Sequence, residues 1–167
     1  MFFTGFEPWD TVTFNPSWDA AQGAAEELAT GCARLSVDFE TARKVLDVPP
    51  PETSLLVMFG VAVRRDQICL ERYAHNTDPN DEKLQKRGPV ARETNLDLRP
   101  LTTEKIGDFD VVISRDPGDF VCNATYFHAL KTTRYESVFV HIPMMDSETA
   151  RMVGTQIARR FKNVQIR

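Results

Sequence analysis

The residues of this sequence best suited to chemistry are a cysteine where a helix should begin, a histidine at the end of an apolar strand, and a carboxylate inside another strand. Cys122 follows Asp110-Val111-Val112-Ile113-Ser114-Arg115-Asp116-Pro117-Gly118-Asp119-Phe120-Val121, which reads as a strand, a turn and the start of a helix. The β-branched run Val111 to Ile113 suits a buried strand, Asp116-Pro117-Gly118-Asp119 is the strongest turn signal in the chain, and Val121, Ala124, Thr125, Phe127 and Leu130 fit helical spacing. A thiol in the first helical turn meets unsatisfied amide N–H groups and the positive end of the dipole. These favour a thiolate near neutral pH and can hold a developing oxyanion. His141 lies near the end of the strand Ser137 to Pro143, and the C-terminal edge of an α/β sheet is where catalytic groups gather. Glu71 stands among Ile68, Leu70 and Tyr73. Taken singly, each has a commoner explanation: a small core thiol, a partly buried structural histidine, a solvent-facing carboxylate.

The elements around them alternate strand and helix. Phe2 to Trp9 is a short strand running into a loop with two aromatics, Phe6 and Trp9, which either bind something or cap the core. Asn15 is a good N-cap and Pro16 suits the first helical position; Ala20, Ala21, Ala24, Ala25 and Leu28 then give a small-residue face ending at Gly31, fit for close packing on a sheet. Leu35 to Phe39 alternates as a strand, a short helix over 40–46 follows, and Pro49-Pro50-Pro51 stops it. Leu55 to Gly60 is wholly apolar, as in the middle of a sheet covered on both faces. Gln67 to Asn76 reads as one strand-like stretch. Thr77 to Arg87 is a polar, turn-rich loop expected to be mobile without ligand. An edge strand over 91–98 and at most a short helix over 102–107 precede the cysteine stretch. Asp146-Ser147-Glu148 opens the last helix, with Ala150, Val153, Ile157 and Phe161 facing the core and Arg159, Arg160 and Lys162 near its C-terminal end. This rhythm predicts an α/β fold.

At 167 residues and 42% hydrophobic, the chain can bury a sizeable core as one domain, and it has no apolar run of membrane-spanning length. A net charge of -4 argues against a nucleic-acid or membrane surface. Cys32, Cys69 and Cys122 are too few and scattered for a disulfide framework or a zinc site, so no metal and no cofactor is expected. The odd cysteine count and the absence of a signal-peptide pattern at Met1 to Gly5 make the cytoplasm the expected compartment.

Four stretches, in order, carry a resemblance: Thr4-Gly5-Phe6-Glu7-Pro8-Trp9 with Asn15-Pro16-Ser17; Glu71-Arg72-Tyr73-Ala74-His75-Asn76; Ser114 to Asn123; and His141-Ile142-Pro143. They resemble the signatures of the type I pyroglutamyl peptidases, also called pyrrolidone carboxyl peptidases, over nearly the whole chain. The resemblance implies a three-layer α/β/α sandwich around a mixed twisted sheet, with residues 1–167 as one catalytic domain. It implies a cytosolic cysteine peptidase that removes N-terminal pyroglutamate from peptides through an acyl-enzyme, with Cys122 as nucleophile, His141 as base and Glu71 orienting the histidine. It also implies that Phe6, Trp9, Asn15, Phe120 and Val121 bind the substrate; a homo-oligomer is left open.

Several positions depart from the family pattern. Trp9 stands in place of phenylalanine, Asp10 and Thr11 in place of glycines, and Val61-Ala62-Val63-Arg64 in place of a turn rich in glutamine and glycine. Asp116 replaces a small residue and Pro117 an alanine. A gap-free reading puts Asp81 where the family carries an arginine thought to assist the oxyanion, and Lys83, Lys86 or Arg87 would substitute only if the loop folds back. The peripheral segments over 46–54 and 98–109 and after Pro143 are short for the family. These departures define the alternative, a weakened or inactive family member that binds blocked peptide ends.

Overall fold

The computed structural model describes residues 1–10 and 12–164. In chain order the elements are β1 (Phe2–Phe6), α1 (Pro16–Leu28), β2 (Cys32–Leu35), α2 (Phe39–Arg43), β3 (Leu55–Val61), β4 (Ile68–Glu71), β5 (Tyr73–His75), β6 (Ala91–Glu93), β7 (Val111–Ser114), α3 (Val121–Ala129), β8 (Glu136–Ile142) and α4 (Ser147–Lys162). Six strands form one sheet in the order β2-β1-β3-β8-β4-β7, and β5 with β6 makes a separate antiparallel pair. Strands β2, β1, β3 and β8 run parallel; β4 is antiparallel to β8 and parallel to β7. The 62–67 connection therefore carries the chain past the end of β8, and the Ala62 amide donates to the Ile142 carbonyl there at 3.0 Å.

Helices cover both faces, so the mixed sheet is the middle of three layers. On one side α1 and α4 meet Phe3, Leu55, Val57, Phe59, Val138 and Val140; on the other, α2 and α3 meet Leu56, Met58 and Phe139. Burial from both sides explains why β3 is apolar without alternation, and each fully buried Leu, Val or Phe contributes on the order of 1.5 to 3 kcal/mol. The alanine face of α1 allows an approach closer than ordinary side chains permit. A Cβ added to Gly154 of α4 would come 1.9 Å from the Ala20 carbonyl oxygen, so the two helices touch backbone to backbone. Asn15 and Asp146 cap α1 and α4, accepting from the amides of Ser17 and Thr149 at 3.1 and 2.8 Å. Among the described residues no helix is long and apolar enough to cross a membrane.

Four local expectations change. The second strand is Cys32–Leu35, not 35–39, because Asp38 accepts from the Thr41 amide at 2.7 Å and caps α2; the apolar residues Val37 and Phe39 pack as loop and helix residues instead. The stretch 67–76 is two strands. After Glu71 the chain leaves the main sheet, and Tyr73 to His75 pairs with Ala91 to Glu93. The edge strand ends at Glu93, and the helical turn falls at Arg99–Thr102, where Pro100 suits its start, instead of over 102–107. Gly107, at φ 56°, instead makes the tight turn that bridges Ile106 to Phe109.

Candidate active site

Cys122 is the second residue of α3, after a turn in which the Gly118 amide donates to Asp116 Oδ1 at 3.0 Å and Gly118 itself takes φ 76°. Phe120, in extended conformation, occupies the N-cap and offers no side-chain acceptor, which leaves the first-turn amides without a side-chain partner. Asn123 fixes the helix start from the side: its Oδ1 accepts from the His75 amide at 2.7 Å and its Nδ2 donates to the carbonyls of His75 and Thr77 at 2.9 and 3.0 Å. The sulfur of Cys122 rests on Gly60 of β3. A Cβ there would lie 2.9 Å from Sγ and 2.7 Å from the Phe139 ring, so only glycine leaves room for the thiol. Burial pushes the Cys122 thiol up to about 12, the Glu71 carboxylate adds to this, and the thiol's own backbone amide works against it. Desolvation thus works against the thiolate that the helix terminus favours.

Gly60 is the register partner of His141 on β8, and His141 in turn is opposite Cys69 on β4. In-register neighbours share a face, so the thiol and imidazole lie on the same side of adjacent strands. His141 is 4% exposed, its ring 4.8 Å from that of Phe139. Its Nδ1 is 2.8 Å from Glu71 Oε1, so Nε2 is the nitrogen left for other work. Glu71 is wholly buried. The same Oε1 also accepts from Arg65 Nη1 at 2.7 Å, Oε2 has no partner among the described residues, and the Glu71 carbonyl accepts from the Tyr126 hydroxyl at 2.8 Å.

In front of the thiol is a slot of about 80 Å³ lined by Phe6, Trp9, Asn15, Val37, Val61, Phe120, Val121 and Cys122. Besides Cys122, five of these lining residues are the ones the resemblance nominated for substrate binding. Phe120 is half-exposed at the slot, and Phe39 meets its ring edge-on at 5.8 Å. The amide of Asn15 is already engaged: Oδ1 accepts from the Ser17 amide and hydroxyl, and Nδ2 donates to the Glu7 carbonyl at 2.8 Å. A wider groove of about 960 Å³ runs past Arg72, Glu93, Asp97, Arg99 and Glu136. It lies by the start of β8, holds none of the nominated residues, and its Arg72–Glu93 and Arg99–Asp97 charges are already paired.

The structure thus brings Cys122, His141 and Glu71 to one corner, with Phe6, Trp9, Asn15, Phe120 and Val121 beside it. It does not bring Asp81 there, nor Lys83, Lys86 or Arg87. All four are exposed, and Asp81 sits at φ 60° in a turn where Asp78 Oδ1 accepts from the amides of Asn80 and Glu82. Asn76 closes this loop by pairing with the Gln85 backbone in both directions, at 2.8 and 2.9 Å. Arg65, Val37 and Asn123 were missed from the sequence. The position of Arg65 six residues before a strand carboxylate was the available signal.

This arrangement, a thiol at a helix mouth beside an acid–imidazole pair in a layered α/β fold, corresponds to a cysteine-type hydrolase. Comparison with known proteins agrees. The family model described as pyroglutamyl peptidase matches residues 1–159, and the chain belongs to that family. Pyrrolidone-carboxylate peptidases of Pseudomonas fluorescens and Gloeobacter violaceus are 28% and 29% identical, over 89% and 92% of this chain and 80% and 86% of theirs. The crystal structure of Bacillus amyloliquefaciens pyroglutamyl peptidase I superposes with a TM-score of 0.76 at 24% identity, covering 95% of this chain and 96% of that one. The pyrrolidone carboxyl peptidase of Fervidobacterium islandicum gives 0.77 at 19% identity, covering 98% of each chain. At these identities the two structures show the shared fold.

Proposed function

We propose that residues 1–167 act as a single catalytic domain that removes N-terminal pyroglutamate from peptides, with Cys122 as nucleophile, His141 as general base and acid, and Glu71 orienting the imidazole. The observation that carries this reading is the 2.8 Å His141–Glu71 pair on the strand next to the glycine that seats the thiol, in front of the apolar slot. Because the thiol is pushed up to about 12, its proton must leave as the reaction begins, to His141 Nε2. The sulfur bonds to the pyroglutamyl carbonyl carbon, the first-turn amide of Cys122 faces the oxyanion, and His141 returns the proton to the departing amine. Water, deprotonated by the same imidazole, then cleaves the thioester and restores the thiol. The lactam is flat, small and free of the ammonium charge of an ordinary N-terminus, which suits a slot of aromatic and aliphatic side chains.

Hydrolysis of a chromogenic pyroglutamyl amide tests this. The native chain should turn it over, and Cys122→Ala should lower kcat by about 10⁴-fold or more. One observation favours a second reading, binding without turnover: Val61 and an already engaged Asn15 leave the slot with no free side-chain amide for the lactam. A pyroglutamyl peptide that binds the native chain, with equal background hydrolysis for native and Cys122→Ala, would favour that reading.

A further inference from the structure

We propose that Arg65 is a positioning residue of the site, a cation that fixes the charge and direction of Glu71 and locks it to the loop preceding the nucleophile. This rests on the peptidase reading only for its meaning in turnover; the contacts themselves are independent of it. Three observations converge. Arg65 Nη1 and His141 Nδ1 approach the same Glu71 oxygen, at 2.7 and 2.8 Å, so the acid is shared between them. Glu71 has no exposed surface and its second oxygen has no partner among the described residues, and a buried carboxylate in that state needs a compensating charge. The other arm of the guanidinium, Nη2, donates to the carbonyl of Asp116, and Nη1 is 3.5 Å from Ser114 Oγ, both in the segment that leads to Cys122. One planar fork therefore spans the acid and the nucleophile's loop, a geometry that lysine cannot reproduce.

The fold explains why position 65 does this. Because β3 and β4 flank β8 on its two sides, the connection between them passes the end of β8, next to His141. The charged and titratable groups around Glu71 are Cys69 on its own strand, His141 on β8, Cys122 and Tyr126 on α3, and Arg65 with Asp66 in the connection; Ser114 on β7 is neutral. Arg72 points instead to Glu93. Arg65 is thus the guanidinium bonded directly to the acid. Removing a positive charge at this distance raises the pH at which neighbouring groups release protons, by about one unit or more.

The readout is the rate of Cys122 alkylation by iodoacetamide against pH, followed at that cysteine by peptide mass spectrometry, beside hydrolysis of the pyroglutamyl amide. In Arg65→Gln the inflections of the alkylation profile should move up by about one pH unit. In Arg65→Lys they should stay within about 0.3 unit of native while hydrolysis falls about tenfold, because the charge survives and the fork does not. Arg64→Gln, at an exposed neighbouring position, should change neither. In a Glu71→Gln background, Arg65→Gln should produce less than about half its shift, since its effect passes through the acid. Unmoved inflections in Arg65→Gln, or an undiminished shift without Glu71, would overturn the proposal. Should Arg65→Gln not fold, Arg65→Lys decides: inflections displaced as far as in Glu71→Gln overturn it, and inflections held at native pH support it. Moved inflections without hydrolysis would leave Arg65 in place and remove the peptidase reading; hydrolysis with unmoved inflections would do the reverse.

Discussion

Around Glu71 the molecule packs a carboxylate, an imidazole and a guanidinium into a largely buried corner, each in contact with another. The neighbouring slot, lined by Phe6, Trp9, Val37, Val61, Phe120 and Val121, has among the described residues one side-chain amide, Asn15, already bonded to Ser17 of α1 and to the Glu7 carbonyl. In the proposed function the corner controls where protons sit and the slot selects by shape. Strong electrostatics in one region are compatible with none in the other because the sulfur, seated on Gly60, belongs to both.

The sharpest way to break this division is to disable the corner and leave the slot untouched. In His141→Asn the thiol has no base, and a thiol raised to about 12 stays protonated until pH approaches that value. Cys122 alkylation at pH 7 should then fall by about 10³-fold or more, rising about tenfold per pH unit instead of levelling off near neutrality. A preserved plateau would mean that the imidazole does not govern the thiol. Gly60→Ala attacks the shared boundary: its methyl would meet Sγ and the Phe139 ring, and kcat should fall about 100-fold with little change in KM. Phe120→Ala addresses the slot alone, with KM for the pyroglutamyl amide rising about tenfold and the alkylation profile unmoved. The smallest effect is expected at Asn15→Ala. Losing the α1 cap should cost about 1 kcal/mol in denaturant unfolding while KM changes less than about threefold; a large KM change would show the amide contacting substrate.

The corner was legible in the sequence to different depths. Cys122 could be placed because Asp116-Pro117-Gly118-Asp119 marks a turn and the residues after it keep helical period. His141 could be placed because an apolar strand stops at Pro143. Glu71 was not legible alone: a carboxylate in a strand reads as solvent-facing, and only resemblance joined it to a histidine 70 residues away. Arg65 escaped because an arginine between Arg64 and Asp66 in a polar connection reads as a solvated charge, and its partners at Ser114 and Asp116 lie 49 and 51 residues on. The strand assigned to 35–39 failed for a local reason. Alternation described Val37 and Phe39 correctly as buried-side residues, but Asp38 had a stronger use as a helix cap. The break between β4 and β5 has no marker in composition. Beside it stands Thr94, whose amide donates to the Arg72 carbonyl and whose hydroxyl donates to that of Ser137.

The reversal of β4 beside β8 places an unusual demand on chain length. Side chains in a strand alternate faces, so Glu71 and Cys69 face the imidazole while Ile68 and Leu70 face the α1–α4 layer. Were the span from Val61 to Ile68 lengthened or shortened so that pairing slid by one position, the carboxylate would turn into hydrocarbon and a leucine would confront His141. The spacing of the 62–67 connector is therefore as decisive for the acid's whereabouts as the identity of residue 71, and insertions there should be tolerated far less than in the solvent-facing turn at 79–82.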